Sequence, residues 1–286
     1  MRRSGTRRRR AYAATAAVVA AVLSIPGAAT GRPVAVHAGG VADVGPGRTT
    51  PYPVGVFDLN EPSLLAPPGP GSVPGYHTLF ADDFRAKLVY DLWGIFNGVP
   101  KGDRVGRFET SHVFVRRGLL RIGTWRDRTH DGAWASGGVC LCGVHPEYGI
   151  FLVRSRETAP GPDVAEMLFP SDGSWPPEVD FAETGVATDA AGYFDHYRPA
   201  PAAVWGFSRV DVLHWHTWGI AWTPTRLAML LDGRARAVVT RPAAIPHLPM
   251  ELDLQQETWC GIYPECPRRP AALLVDWVEV YVPNPG

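Results

Sequence analysis

Lysine is nearly missing from this 286-residue chain: it occurs twice, against 26 arginines. Acid is missing from residues 1–38, which carry seven arginines, and tryptophan is missing before Trp93, although ten follow from there. Beyond residue 38 no long run repeats its apolar residues every three to four positions, which excludes a helical bundle. Cysteine is limited to positions 140, 142, 260 and 266, with no C-x-x-C and no paired histidine beside them. That argues against a zinc site. No glycine-rich phosphate loop and no Ser-His-Asp arrangement stands out. Zero net charge hides an asymmetry: after residue 38 there are 21 basic against 28 acidic residues. A folded part that is acidic does not suit nucleic acid, so no nucleic-acid partner is expected.

The ends of the chain differ in kind from its body. Residues 2–10 are arginine-rich, and residues 11–29, AYAATAAVVAAVLSIPGAA, are small and apolar with a break at Pro26. A charged start, a short apolar run and small residues at the cut describe a secretory signal over 1–38, cleaved after Ala29 or Ala38. The alternative is a single anchor, but an alanine-heavy stretch is weakly hydrophobic for a spanning helix, so no stable membrane partner is expected. The mature protein is then secreted and extracellular. Residues 39–76 hold eight glycines and eight prolines with no apolar period. They read as a linker, leaving a folded domain over 77–286. In an exported chain four cysteines suggest disulfides, with three pairings open. Cys260–Cys266, which closes a short loop rich in turn residues, is preferred. Cys140 and Cys142 on one strand would point the same way about 6–7 Å apart, a strained pair.

The body consists of short strand-like runs separated by Gly, Pro and Asp, among them 112–123, 148–157, 178–183, 217–222, 226–233, 235–240 and 273–282. Several alternate apolar with polar residues, as half-buried strands do. In the last run Val275, Trp277 and Glu279 are expected on one face and Asp276, Val278 and Val280 on the other. Short strands with a turn about every ten residues imply an all-β sandwich or barrel.

The stretch that carries chemistry is SWPPEVDFAET, residues 174–184. On a strand Glu178 and Asp180 share a face while Val179 and Phe181 point inward. Regular alternation sends Glu183 to the inner face. One extra residue, a β-bulge near Phe181 and Ala182, returns it to the acidic face. The two glutamates then sit roughly 13 Å apart at Cα. Their side chains can lean together to about 5–5.5 Å, the separation of a retaining glycosidase. Three acids on one face do not all ionise cheaply, so at least one is expected to keep its proton near neutral pH. A solvated acidic strand face is the competing reading of these three residues.

EVDFAE at 178–183 fits the pattern E-[ILV]-D-[IVF]-x-E, and other stretches agree in order: FADDF at 80–84, YGIFLVRSRE at 148–157, HTWGIAWTPTRLAMLLDG at 216–233 and VDWVEVY at 275–281. Together they resemble glycoside hydrolase family sixteen, in its bulged, laminarinase-like branch. WPPEVDFAE with ELDLQQETWCG is most similar to secreted actinobacterial members. The resemblance covers nearly all of residues 76–282. It implies a concanavalin A-like jelly roll of two curved antiparallel sheets with a substrate cleft on the concave face. It further implies Glu178 as nucleophile, Glu183 as general acid/base and Asp180 as their helper.

Placed by the same resemblance, Trp175 and Trp259 are candidate sugar platforms and Gln255 a partner for sugar hydroxyls. Two departures from the family stand out: Met167 occupies a platform position, and Val204 stands where a histidine is usual. Asp276 lies where many relatives hold a structural calcium; no cofactor is required for the chemistry. The implied activity is a retaining endo-β-glucanase, chiefly on β-1,3 linkages, acting as a monomer on a polysaccharide substrate. Alternatives are a transglycosylase with the same machinery, a non-catalytic carbohydrate-binding protein of the same fold, and a structural envelope protein anchored by residues 11–29.

Overall fold

The computed structural model describes residues 51–100, 105–199, 202–261 and 266–286. The expected secretory signal and the first part of the expected linker, residues 39–50, lie outside them. Eighteen strands follow in chain order: β1 (Val56–Phe57), β2 (Leu65–Ala66), β3 (Tyr76–Asp82), β4 (Gly94–Ile95), β5 (Val113–Val115), β6 (Leu120–Asp127), β7 (Ala133–Ala135), β8 (Gly138–Cys140) and β9 (Gly149–Glu157). The second half holds β10 (Asp163–Pro170), β11 (Glu178–Thr184), β12 (Ala190–His196), β13 (Ala203–Arg209), β14 (His216–Thr223), β15 (Arg226–Leu231), β16 (Arg234–Val239), β17 (Met250–Glu257) and β18 (Ala271–Pro283). Helical geometry among the described residues is confined to three single 3₁₀ turns, and no helix is long and apolar enough to cross a membrane.

Two antiparallel sheets carry the fold. One runs β13-β12-β11-β10-β17-β8-β4, the other β16-β15-β14-β9-β18-β6-β5, with β3 added alongside β18 and β7 alongside β6. This is the sandwich that the strand pattern left beside a barrel, and the jelly roll that the resemblance implied. Alternation in β17 shows why the sheets pack. Met250, Leu252 and Leu254 enter the core between the sheets, while Glu251, Asp253, Gln255 and Glu257 take the opposite face. Leu168 of β10, Val179 of β11 and Val275 of β18 join the same core.

The last strand departs from the expected alternation. Its pairing with β9 slips between Val275 and Trp277, so Asp276 is a bulged residue. Val275, Val278 and Val280 consequently share the inner core, and Trp277 and Tyr281 the outer face.

That outer face is covered by residues assigned above to the linker. From residue 51 onward the chain packs on the domain. Tyr52 and Val73 join Trp277, Tyr281, Ile150 and Leu152 in a second apolar cluster. Trp277 Nε1 donates to the Leu65 carbonyl at 2.8 Å, Thr217 Oγ1 to the Val54 carbonyl at 2.7 Å, and the Gly69 amide to Glu279 at 2.9 Å. Gly55, at φ +118°, lies so close to its neighbours that a Cβ there would collide with the Ala66 carbonyl and Leu65 and press on Trp277. Low apolar period did not mean absence of packing: a strap held by its backbone carbonyls needs none.

Both cysteine pairs are bridged, Cys260 to Cys266 as preferred and Cys140 to Cys142 as well. The second pair does not sit on one strand. β8 ends at Cys140, and Cys142 lies in the turn after it, with the two Cα atoms 5.0 Å apart.

Candidate active site

The acidic strand β11 lies in the middle of the seven-stranded sheet, between β10 and β12. On β12, Glu178 faces His196 and Asp180 faces Phe194, but the next partners are Glu183 and Gly192. On β10, Met167 faces Asp180 while Glu166 faces Ala182. Phe181 and Ala182 are therefore the bulge, and both turn into the core with Val179. Glu183 is returned to the face of Glu178 and Asp180, the geometry the spacing predicted.

Register carries that face across neighbouring strands, since directly opposed residues in antiparallel strands point the same way. One row runs Trp205, Phe194, Asp180, Met167, Asp253 and Cys140. The next runs Phe207, Gly192, Glu183, Ala165, Gln255 and Gly138. Gln255 thus sits on the acidic face two strands from Glu183, and Met167 directly beside Asp180.

All three acids are buried. Oε2 of Glu178, Oδ2 of Asp180 and Oε2 of Glu183 have no hydrogen-bond partner. Burial is the largest cause raising each carboxyl well above its ordinary range. For Glu178 the negative charges of Asp180, Glu257 and Asp253 add to it. For Asp180 the addition comes from Asp163; for Glu183, from Asp163, Asp180, Glu178 and Glu257. These groups titrate as one system in which some member keeps a proton at neutral pH. Such a cluster can offer both a carboxylate and a carboxylic acid, the pair that acid/base and nucleophilic work needs.

His196 was not anticipated. Its Nε2 lies 3.8 Å from Oδ2 of Asp180, and Glu178, Asp180 and His196 hold one ligand atom each within 4.8 Å of one another. Burial lowers its pKa, so the ring is neutral at physiological pH. Val204 faces Asp195 and leans on the core. The signal available was position alone, a histidine one strand after the acids.

Trp175 is half-buried, packs with Ala165, Met167 and Phe169, and has its ring 6.1 Å from that of His196. Its indole N–H faces Glu178 as a donor that opposes the rise of that carboxyl, without closing to full hydrogen-bond geometry. Trp259 is 7% exposed, and its Nε1 donates to Asp163 at 3.2 Å. An indole so enclosed offers little face to a sugar; it orients Asp163 instead. Gln255 donates to Glu257 at 3.2 Å and leaves its carbonyl oxygen unpaired.

Asp276 lies remote from this face, in the nine-stranded sheet. Its Oδ2 accepts from the Ser63 amide at 2.9 Å, and the Arg154 guanidinium, bonded to Ser63 Oγ at 3.1 Å, favours its charge. Calcium requires six to eight oxygen ligands. Asp276 brings to such a shell one unpaired oxygen, the buried Oδ1, while burial raises its carboxyl and the nearby Arg154 charge opposes a second cation.

No protein-family model matches this chain, and no curated protein does. Solved structures match along most of it. A non-specific endo-β-1,3(4)-glucanase from family GH16, co-crystallised with 1,3-β-D-cellobiosyl-cellobiose, is 21% identical at a TM-score of 0.65, with 73% of this chain and 95% of that one covered. The endo-β-1,3-glucanase of Pyrococcus furiosus is 17% identical at 0.63, with 74% and 96% covered. An endo-acting O-glycanase of the human gut microbiota, linked to mucin breakdown, is 17% identical at 0.66, with 76% and 94% covered. This chain has their fold.

Proposed function

We propose that the protein is a secreted retaining endo-glycosidase of the family-sixteen type that hydrolyses β-glucan, chiefly at β-1,3 linkages. The observation that carries the reading is the bulge at Phe181 and Ala182, which gathers Glu178, Asp180 and Glu183 on one buried face beside His196. A structural strand has no use for three unpaired, mutually repelling carboxyls. The glucanase names of two of the structural neighbours support the substrate class. The O-glycanase among them shows that the fold by itself does not choose it.

In this reading Glu178 attacks the anomeric carbon as Glu183 gives its proton to the departing glycosidic oxygen. The carbon–oxygen bond breaks and a glycosyl ester forms on Glu178. Glu183, now a carboxylate, takes a proton from water, which attacks the same carbon and releases the sugar with Glu178 restored. Asp180 and His196 hold the charge and orientation of the pair.

The test is a reducing-sugar assay on laminarin, lichenan, agarose and galactan, with proton NMR of the first anomer released. Retention of configuration is expected. Glu178→Gln is expected to lower turnover more than roughly a thousandfold without lowering the melting temperature. Near-normal turnover in that variant would place the nucleophile elsewhere, and an inverted product would exclude the assigned roles.

A further inference from the structure

The acidic face does not end at the acids. Trp205 and Phe207 lie on it, two strands away on β13, the sheet's edge, and each is 44% exposed. Their rings meet edge to face at 6.0 Å, and Phe207 meets Phe194 in the same way at 5.9 Å. Phe194 is stacked 6.4 Å from His196, whose other neighbour is Trp175. An aromatic strip therefore leads from the open edge of the sheet to the acids.

The backbone is fitted to this strip. A Cβ at Gly192 would lie 2.7 Å from the Phe194 ring and 3.1 Å from that of Phe207, so glycine there is what allows both rings to settle over the strand. The inner face at the same level is closed differently: Tyr193 fills the space beneath Gly206. Burial explains Phe194, at 5% exposed, and does not explain Trp205 or Phe207. Two strand spacings, about 10 Å, separate them from the acids, enough for sugar rings beyond the one being cleaved. The opposite flank, β17, presents Asp253, Gln255 and Glu257 instead. The face is thus aromatic on one side of the acids and carboxylate-rich on the other.

We propose that Trp205 and Phe207 form a sugar platform on one flank of the cleavage point. It takes a further ring of the same polymer, a β-linked pyranose with equatorial substituents, whose C–H face lies flat on the indole. The inference rests on the glycosidase reading and adds the direction in which the polymer runs: across the strands, out over β12 and β13. Large, rigid aromatic faces supply such contact at little conformational cost.

The experiment compares the full protein with a Trp205→Ala/Phe207→Ala variant on β-1,3-glucooligosaccharides of increasing length and on laminarin. The variant is expected to lose roughly tenfold or more in kcat/KM on the long substrates, mainly through KM, and less than roughly twofold on the shortest one cleaved. Trp205→Tyr, which keeps a ring, is expected to recover most of the loss. An unchanged length dependence overturns the platform, as does a wild-type dimer that the double variant converts to monomer with the same kinetics. Should the wild type cleave no β-glycan, the glycosidase reading fails separately. Retention on insoluble β-1,3-glucan then becomes the readout, and equal retention of both proteins overturns the platform.

Discussion

In the proposed mechanism Asp180 stands between two glutamates that need different protonation states, and its charge acts on both. Its negative charge raises Glu178 directly and Glu183 as well. Removing that charge must lower both, and the sign on activity follows from their roles. The alkaline limb of kcat/KM reports loss of the proton on the general acid. In Asp180→Asn that limb is expected to move to lower pH, while activity at the optimum falls roughly tenfold, the worth of one charge-assisted interaction of about 1.5 kcal/mol. A pH profile of kcat/KM checks it; an unmoved alkaline limb would detach Asp180 from Glu183. The same scale shows what one chain can and cannot announce. Glu178, Asp180 and Glu183 were legible because acids at odd spacing across an apolar alternation demand a bulge. His196 was not, because pairing between strands places it and one histidine in FDHY carries no pattern.

The element that makes the site is β11 with its two-for-one bulge. Inserting one alanine between Ala182 and Glu183 would shift the register by one residue and turn Glu183 from the acidic face into the apolar core. Hydrolysis is expected to fall below detection, and the melting temperature to drop by several degrees as a carboxyl enters the interior. Glu183→Gln, by contrast, is expected to lose activity with its melting temperature kept. Equal activity of the insertion variant and the parent chain would remove the register of β11 from the mechanism. Part of the sheets was readable strand by strand, since β9, β11 and β14 alternate or run apolar as sandwich strands must, whereas β10, β12, β13 and β17 were not among the expected runs. The bulge at Asp276 escaped because the faces of β18 are both buried: with Val275, Trp277 and Val278 all apolar, a one-residue slip leaves no trace in the pattern. The segment from residue 51 to 75 escaped for the converse reason. Its ties are carbonyls and glycines, which have no hydropathy signature.

At the level of the whole molecule that segment is a structural part. A chain begun at residue 76 would expose Trp277 and Tyr281 and leave the Glu279 and Asp276 carboxylates without the amides of Gly69 and Ser63. Uncovering two large side chains costs about 4 kcal/mol, so the shortened domain is expected to melt about 10 °C lower. An unchanged melting curve would return residues 51–75 to the status of a linker. The sandwich also carries a pH dependence of its own. Glu157 touches Thr184 and Glu166 touches Ser155 between the sheets. Burial pushes both carboxyls up to about 8. The folded protein therefore holds protons that the unfolded chain, with ordinary values of 4.5, has already released. Their stabilisation is full below that value and is lost as pH rises through about 8. The melting temperature is expected to decline across this window. In Glu157→Gln/Glu166→Gln the decline should flatten, as differential scanning calorimetry would read; an equally steep decline would free these two groups from blame.

The pairing of β3 with β18 has a last consequence. The Asn284 amide donates to the Gly75 carbonyl at 2.9 Å, so the end of the final strand lies beside the entrance to the first long one. Both belong to the sheet that does not carry the acids. A side-chain crosslink between these neighbours would fasten the end of the residue 51–75 segment to the last strand with the acidic face undisturbed. A cargo fused after Gly286 would emerge at the sheet opposite the acids, leaving the acidic face uncovered.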